Sequence, residues 1–281
     1  MLLSDLSPEV LEAPPASASL PSAPAAPTWP AHRAVACMPG SLPMGGVVPA
    51  TPVFAFEQPA PALALRRDDP LAPQRRDIDL GGLLAFEIVG LITPDEADAV
   101  VQASERFGYR DEAPGITTPP GMRMNKSVHW VADGVFLNVL YERMAGLLPD
   151  RVDGARLHPR LSRRINMYRY DDGDVFRRHT DGDWPGFGLT EDRTAMTPWP
   201  DALRSRLTML LYLNGPADGV QGGHTRLFRP DGTWHDVTPA KGSALFVRHG
   251  FGPRSVQHIG LQVSGPVPKY VARINVMYQA G

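Results

Sequence analysis

The stretch Lys269-Tyr270-Val271-Ala272-Arg273-Ile274-Asn275-Val276-Met277-Tyr278 most narrows what this chain can fold into. Read with a period of two, Lys269, Val271, Arg273 and Asn275 share one face, and Tyr270, Ala272, Ile274 and Val276 share the other. An extended strand sorts residues this way, and a face mixing Lys, Arg and Asn beside a mostly apolar one suggests a polar lumen. Further strands are predicted over residues 164–170, 207–213, 225–229 and 244–248, separated by Gly, Pro and Asp turns. Many short strands with such turns argue for a β-sandwich, a barrel or a jelly roll. That β core is placed at residues 161–281.

Residues 77–160 read as a helical N-terminal part of the same unit. A short strand, Phe86-Glu87-Ile88-Val89-Gly90, leads to Thr93 as a helix N-cap, Pro94 at the first helical position and Glu96 at the capping-box position. Ala97, Val100, Val101 and Ser104 line one face of that helix, and Gly108 stops it. A second helix follows Asp133, with Phe136, Val139, Leu140, Met144 and Leu147 facing inward and Pro149 ending it. Both would pack on the outside of the strands. Residues 1–76 are rich in Ala, Pro and Ser, with breakers at Pro14-Pro15 and Gly45-Gly46, and read as a disordered or loosely packed tail. The competing reading is an arm that wraps the folded domain through Val53-Phe54-Ala55-Phe56.

A formal net charge of -2 and a pI near 6.4 do not favour a nucleic-acid partner. The single cysteine, Cys37, excludes an intramolecular disulfide framework and a multi-cysteine zinc site, and suits a cytoplasmic location. No apolar run of about 18 residues predicts a membrane helix. The start of the chain, with Asp5, Glu9 and Glu12, does not read as a signal peptide. Oligomeric state is not legible in this sequence.

Candidate chemistry gathers at Tyr170-Asp171-Asp172-Gly173-Asp174-Val175-Phe176-Arg177-Arg178-His179-Thr180-Asp181. In a strand, positions two apart face the same way, so His179 and Asp181 can grip one metal ion. Taken alone, the triplet also fits a surface turn. His258 lies 258 − 179 = 79 residues downstream, room enough for the chain to return to the same mouth of a barrel. On its own it also fits a core histidine bonded to backbone. Two histidines and one carboxylate on one face of an iron leave three positions open. Lys269 fits a solvated strand end or, inside a polar lumen, a partner for a buried ligand carboxylate.

These residues stand in an ordered frame. Arg206-Leu207-Thr208-Met209-Leu210-Leu211-Tyr212-Leu213, Gly222-Gly223-His224-Thr225-Arg226-Leu227-Phe228 and Pro239-Ala240-Lys241-Gly242-Ser243-Ala244-Leu245-Phe246 lie between Tyr170…His179-Thr180-Asp181 and His258…Lys269-Tyr270. Over roughly residues 160–280 the set resembles the prolyl 4-hydroxylase-like family of iron(II)/2-oxoglutarate dioxygenases. The resemblance implies a mainly β fold with flanking helices, a double-stranded β-helix or jelly roll, with iron held by His179, Asp181 and His258. It implies Lys269 on the distal carboxylate of 2-oxoglutarate, with Tyr170 and Thr208 as hydroxyl donors.

It also implies dioxygen as cosubstrate, and admits L-ascorbate beside it. Two departures stand out: the family's Gly-Gly-Glu-Thr reads Gly-Gly-His-Thr here, with His224 a structural variation. The interval from His258 to Lys269 is one residue longer than usual, which leaves Arg273 as the substitute cation. The reaction implied is hydroxylation of an unactivated C–H bond, coupled to decarboxylation of 2-oxoglutarate to succinate. Asp181 occupies the position that a halogenase would give to halide. The substrate class expected with it is a peptidyl or free amino acid or a small metabolite.

Substrate contacts are expected from Arg123 and Asn125, within Gly121-Met122-Arg123-Met124-Asn125-Lys126, and from Trp184. Trp184 belongs to the long segment 182–205, which also carries Phe187 and Trp199 and reads either as a lid over the metal or as an anchored surface loop. Arg163-Arg164 and Arg177-Arg178 read as solvated faces. Two other classes compete: a non-catalytic jelly-roll sensor or binding module, and a cupin-type metal-dependent isomerase that needs no 2-oxoglutarate.

Overall fold

Extended chain builds most of the molecule. The structure is a computed structural model and describes residues 28–39, 50–68, 71–115 and 118–280. Its first strands are β1 (His32–Pro39), β2 (Ala50–Phe56), β3 (Gln74–Asp77), β4 (Ala85–Val89), β5 (Lys126–Val131), β6 (Ala155–Tyr170) and β7 (Phe176–His179). Then come β8 (Leu203–Tyr212), β9 (Thr225–Phe228), β10 (Trp234–Val237), β11 (Ala244–Arg248), β12 (His258–Gly260) and β13 (Lys269–Gln279). Helix α1 is Pro94–Phe107 and α2 is Gly134–Met144.

The large sheet runs β1-β2-β5-β6-β13-β8-β11-β4-β3, and the small one β10-β9-β12-β7. Every pair is antiparallel except β2 with β5. The result is a jelly roll: mainly β, with few helices. One face of the large sheet packs on the helices, where Phe86, Ile88, Trp130, Ile274 and Val276 meet Ala97, Val100, Phe136 and Leu140. The other face meets the small sheet, where Tyr168, Leu210 and Val271 pack with Leu227, Val237 and Val256. The strand alternation of β13 sorts its residues between the two, with Lys269, Arg273 and Asn275 in the lumen between the sheets.

Helix α1 starts and stops as its residues dictate. Thr93 Oγ1 accepts from the Glu96 amide at 3.2 Å, Glu96 Oε2 accepts from the Thr93 amide at 2.9 Å, and Gly108 caps the end at φ 78°. Arg143 of α2 donates to the same Glu96 carboxylate at 2.7 Å and 2.8 Å, joining the two helices. Helix α2 ends at Met144 rather than at Pro149, and a short 3-10 turn, Ala145–Leu147, covers the gap.

The division at residues 76 and 160 does not hold as drawn. Strands β1 and β2 both lie within the expected tail, and β2 enters the large sheet beside β5. Proline bars helix but tolerates extended chain, and a continuous apolar run suits a strand buried on both faces. Phe54 and Phe56 go to the helix-side core, with the Phe56 and Phe107 rings 4.8 Å apart, while Val53 and Ala55 join Val35 and Val131. Strand β6 starts at Ala155, so a boundary at residue 160 would cut it, and β4 and β5 belong to the same sheet as the core. The remaining part of the tail reading, residues 1–27 and 40–49, lies outside the described residues. No helix among the described residues is long and apolar enough to cross a membrane.

Candidate metal centre

His179 ends β7 and His258 begins β12, and the antiparallel register sets them directly opposite each other. Their ring centroids are 4.3 Å apart. Asp181 follows two residues later, its Oδ1 3.8 Å from His179 Nε2. One donor atom from each of His179, Asp181 and His258 lies within 4.8 Å of the others, and among the described residues no other group of this kind occurs.

Backbone carbonyls fix which nitrogen each histidine offers. His179 Nδ1 lies 2.6 Å from the Arg177 carbonyl and His258 Nδ1 lies 3.2 Å from that of Val256, so each Nδ1 donates and each Nε2 keeps its lone pair. Phe176 stacks on the His179 ring at 3.7 Å. Burial, reinforced by the His258 neighbour, pushes His179 down to about 4, so its imidazole is neutral at pH 7. Two imidazole nitrogens and one carboxylate oxygen on one face suit iron(II) with open coordination positions.

Asp181 is oriented from behind. Its Oδ2 accepts from Thr208 Oγ1 at 2.6 Å and from Arg273 Nε at 3.0 Å, leaving Oδ1 for a metal. Burial alone would raise its pKa, but Arg273, with His258, His179 and His249, holds it well below the usual carboxylate range. Since the Thr208 proton goes to Asp181, His249 Nδ1 must donate to Thr208 Oγ1, at 2.7 Å. His249 Nε2 then accepts from Ser205 Oγ at 2.8 Å, and Ser205 Oγ accepts from the Trp184 amide at 2.8 Å. A single hydrogen-bonded chain thus runs from segment 182–205 to the carboxylate.

Lys269 and Tyr170 are cross-strand partners on β13 and β6, and both line the cavity that His179, Asp181 and His258 face. Lys269 is 2% exposed, and Nζ donates to the Gly223 carbonyl at 2.5 Å. It lies 5.1 Å from the Tyr170 ring centroid and 5.5 Å from that of Tyr212. No carboxylate pairs with it among the described residues, and burial pushes its pKa down to about 7. Gly223 has φ +67°, and a Cβ there would come within 2.9 Å of the lysine Cδ and of Val263 Cγ2, so glycine makes room for the ammonium.

The other expected site residues divide. Arg123 and Trp184 line a second cavity that also reaches His179 and Asp181. Asn125 is buried with its Nδ2 on the Lys126 carbonyl and does not line that cavity. Of the residues expected on the cosubstrate, Thr208 Oγ1 and Arg273 Nε donate to Asp181, and Arg273 Nη2 donates to Thr208 Oγ1 at 3.3 Å, while Arg273 still lines the cavity. His224 stands outside the ligand group. Segment 182–205 is anchored through Trp184 and through Phe187, whose amide meets Ser162 Oγ at 3.2 Å. Arg164, read as solvated, is 5% exposed, because alternation with Asn166, Tyr168 and Tyr170 turns it into the lumen. Ser205 and His249 were missed. A histidine just past the lumen strand β11 was the available signal.

Two histidines and a carboxylate thus sit together at the mouth of a jelly roll. Among solved structures, a prolyl-4-hydroxylase from Pseudomonas putida shares this fold: TM-score 0.50 and 17% identity, covering 70% of this chain and 95% of that one. The collagen prolyl hydroxylase of Paramecium Bursaria Chlorella virus-1, in complex with 2-oxoglutarate, aligns with TM-score 0.47 and 19% identity, over 70% of this chain and 98% of that one. No protein-family model and no curated protein matches the sequence.

Proposed function

We propose that this chain is an iron(II)- and 2-oxoglutarate-dependent hydroxylase of an amino acid, free or peptidyl, or of another small metabolite. The observation that carries the reading is one cavity lined by three side chains that can ligate a metal and, beyond them, a buried lysine with no carboxylate partner among the described residues. A desolvated ammonium calls for an anion, and a dicarboxylate that reaches from the metal to Lys269 supplies it.

When bound, iron(II) with 2-oxoglutarate and dioxygen supplies an oxidant for an unactivated C–H bond, with succinate and carbon dioxide as coproducts. The residues of the chain place and shield it. His179 and His258 offer Nε2, and Asp181 offers Oδ1 while Thr208 and Arg273 hold its other oxygen. Lys269 takes the distal carboxylate, with Tyr170 lining the same cavity. Phe176 and Trp184 wall the side from which substrate approaches and keep water away.

Anaerobic titration of the iron(II) protein with 2-oxoglutarate tests this directly. A visible metal-to-ligand charge-transfer band in the wild type that weakens in Lys269→Ala supports it. Iron binding without such a band rejects it and favours the sensor or the cupin-type isomerase.

A further inference from the structure

The hydrogen-bonded chain behind Asp181 has a direction. It begins at the Trp184 amide, which donates to Ser205 Oγ at 2.8 Å. Ser205 Oγ lies 2.8 Å from His249 Nε2, His249 Nδ1 lies 2.7 Å from Thr208 Oγ1, and Thr208 Oγ1 lies 2.6 Å from Asp181 Oδ2. An amide can only donate and a carboxylate can only accept, so the two ends fix every proton between them. Burial, with Arg273 nearby, pushes His249 down to about 4, so its ring carries one proton, and the chain puts that proton on Nδ1. Ser205 and Thr208 are 0% exposed and His249 is 2% exposed, so bulk water does not compete for these links.

The same residues grip both ends a second time. The Gly250 amide, next to His249, donates to the Asp181 carbonyl at 2.9 Å, and the Ser205 amide donates to the Trp184 carbonyl at 2.9 Å. Trp184 in turn lines the cavity of about 220 Å³ that reaches His179 and Asp181. Arg273 already gives Asp181 its counter-charge. A neutral histidine relay adds no charge to the carboxylate. What it adds is a fixed connection between a metal ligand and a wall of the cavity above it.

Resting on the metal-site part of the hydroxylase reading, we propose that His249 is a positioning residue that makes Trp184 and Asp181 one unit, so that filling the metal site orders the wall that substrate then meets. A metal on Oδ1 pins the carboxylate. The carboxylate then holds the Thr208 hydroxyl, the hydroxyl holds the His249 ring, and the ring acts through Ser205 on the Trp184 amide. Linkage makes the effect reciprocal: an occupant that orders Trp184 strengthens metal binding by the same factor.

The test is amide hydrogen exchange at Trp184 in the full chain, with and without nickel(II), beside a chelator competition that measures nickel affinity. In the wild type, nickel is expected to slow exchange at Trp184 by about fivefold or more. His249→Leu keeps an apolar side chain but no donor, and is expected to weaken nickel about tenfold and to remove the slowing. His249→Asn places an amide nitrogen where Nδ1 stands but falls short of Ser205. It is expected to bring nickel affinity back to within about threefold of wild type without restoring the slowing. Ser205→Ala cuts the far end, and is expected to hold nickel affinity within about threefold while the slowing disappears. A histidine that only packed would leave the two His249 variants alike. Nickel binding by wild type without slowing at Trp184, slowing that survives Ser205→Ala, or His249→Asn as weak as His249→Leu overturns the proposal. Should the His249 variants fail to fold, the wild-type and Ser205→Ala exchange rates decide it. A wild type that binds no nickel is a separate result, which defeats the metal-site reading and the proposal with it.

Discussion

The two faces of β13 are equally buried and obey opposite rules. Ile274 and Val276 point toward the helices, at 0% exposure, into a core made almost wholly of carbon. Lys269 and Arg273, at 2% and 4%, point into the lumen. Burial on the first face is favourable, at about 25 cal/mol per Å² of apolar surface. On the second face the same burial strips water from two cations, and only Arg273 recovers a carboxylate. One face holds the fold together, and the other carries charge that the fold alone does not need.

Two substitutions on opposite sides of the lumen wall break this comparison most sharply. Ile274→Ala should cost about 2–5 kcal/mol of stability in a denaturant titration, yet leave metal affinity per folded molecule unchanged. Asp181→Ala should abolish iron binding and 2-oxoglutarate turnover, read by metal analysis and succinate release. If Ile274→Ala also disturbed metal binding, the two faces would not be independent.

Lys269→Met comes next. Loss of a charge-assisted contact should weaken 2-oxoglutarate by roughly 10- to 100-fold in an anaerobic titration. Stability should hold or rise, because an unpaired buried charge is exchanged for a similar-sized apolar chain. A lysine that merely stabilised the fold would show the reverse pattern.

Thr208→Val should weaken iron(II) by about 10- to 100-fold, since it removes a donor to Asp181 and leaves the ligand itself in place. Metal competition with a chelator measures this. Loss of the Asp181 support would also leave His249 Nδ1 without its acceptor.

The strand alternation that puts Lys269 and Arg273 on one face of β13 was legible because it is local, whereas Asp181 reaches His179 from beyond the end of β7. Helix α1 was legible for the same reason, through Thr93, Pro94 and Glu96. The supports of Asp181 were not, because His249 and Ser205 reach the site across 41 and 44 positions. Thr208 and Arg273 were recognised as site residues, but the competition of two acceptors for their donors exists only in three dimensions. Arg164 was misread because its neighbour Arg163 made the pair look like a charged surface, whereas one residue's shift turns a side chain to the other side of a sheet. Strands β1 and β2 were hidden by proline, which rules out helix without ruling out strand.

The smallest expected effect sharpens the comparison at its polar end. Lys269 sits near neutrality, at about 7, against the ordinary lysine value of 10.5, because burial favours the uncharged amine. The empty protein therefore releases this proton as pH rises through 7, whereas bound 2-oxoglutarate requires the ammonium. Affinity for 2-oxoglutarate should be flat below pH 7 and fall above it, by up to about tenfold per unit. The sign for folding is opposite. Between 7 and 10.5 the unfolded chain holds the proton and the folded chain does not, so this residue's contribution to stability increases with pH. Both slopes should vanish in Lys269→Met and persist in Tyr170→Phe, which should itself lower 2-oxoglutarate affinity only about three- to tenfold. Titrations between pH 6 and 9, with stability measured alongside, give both signs in one experiment. An affinity that rises with pH would mean that the ammonium is not what meets the cosubstrate, and the lumen charge would need another purpose.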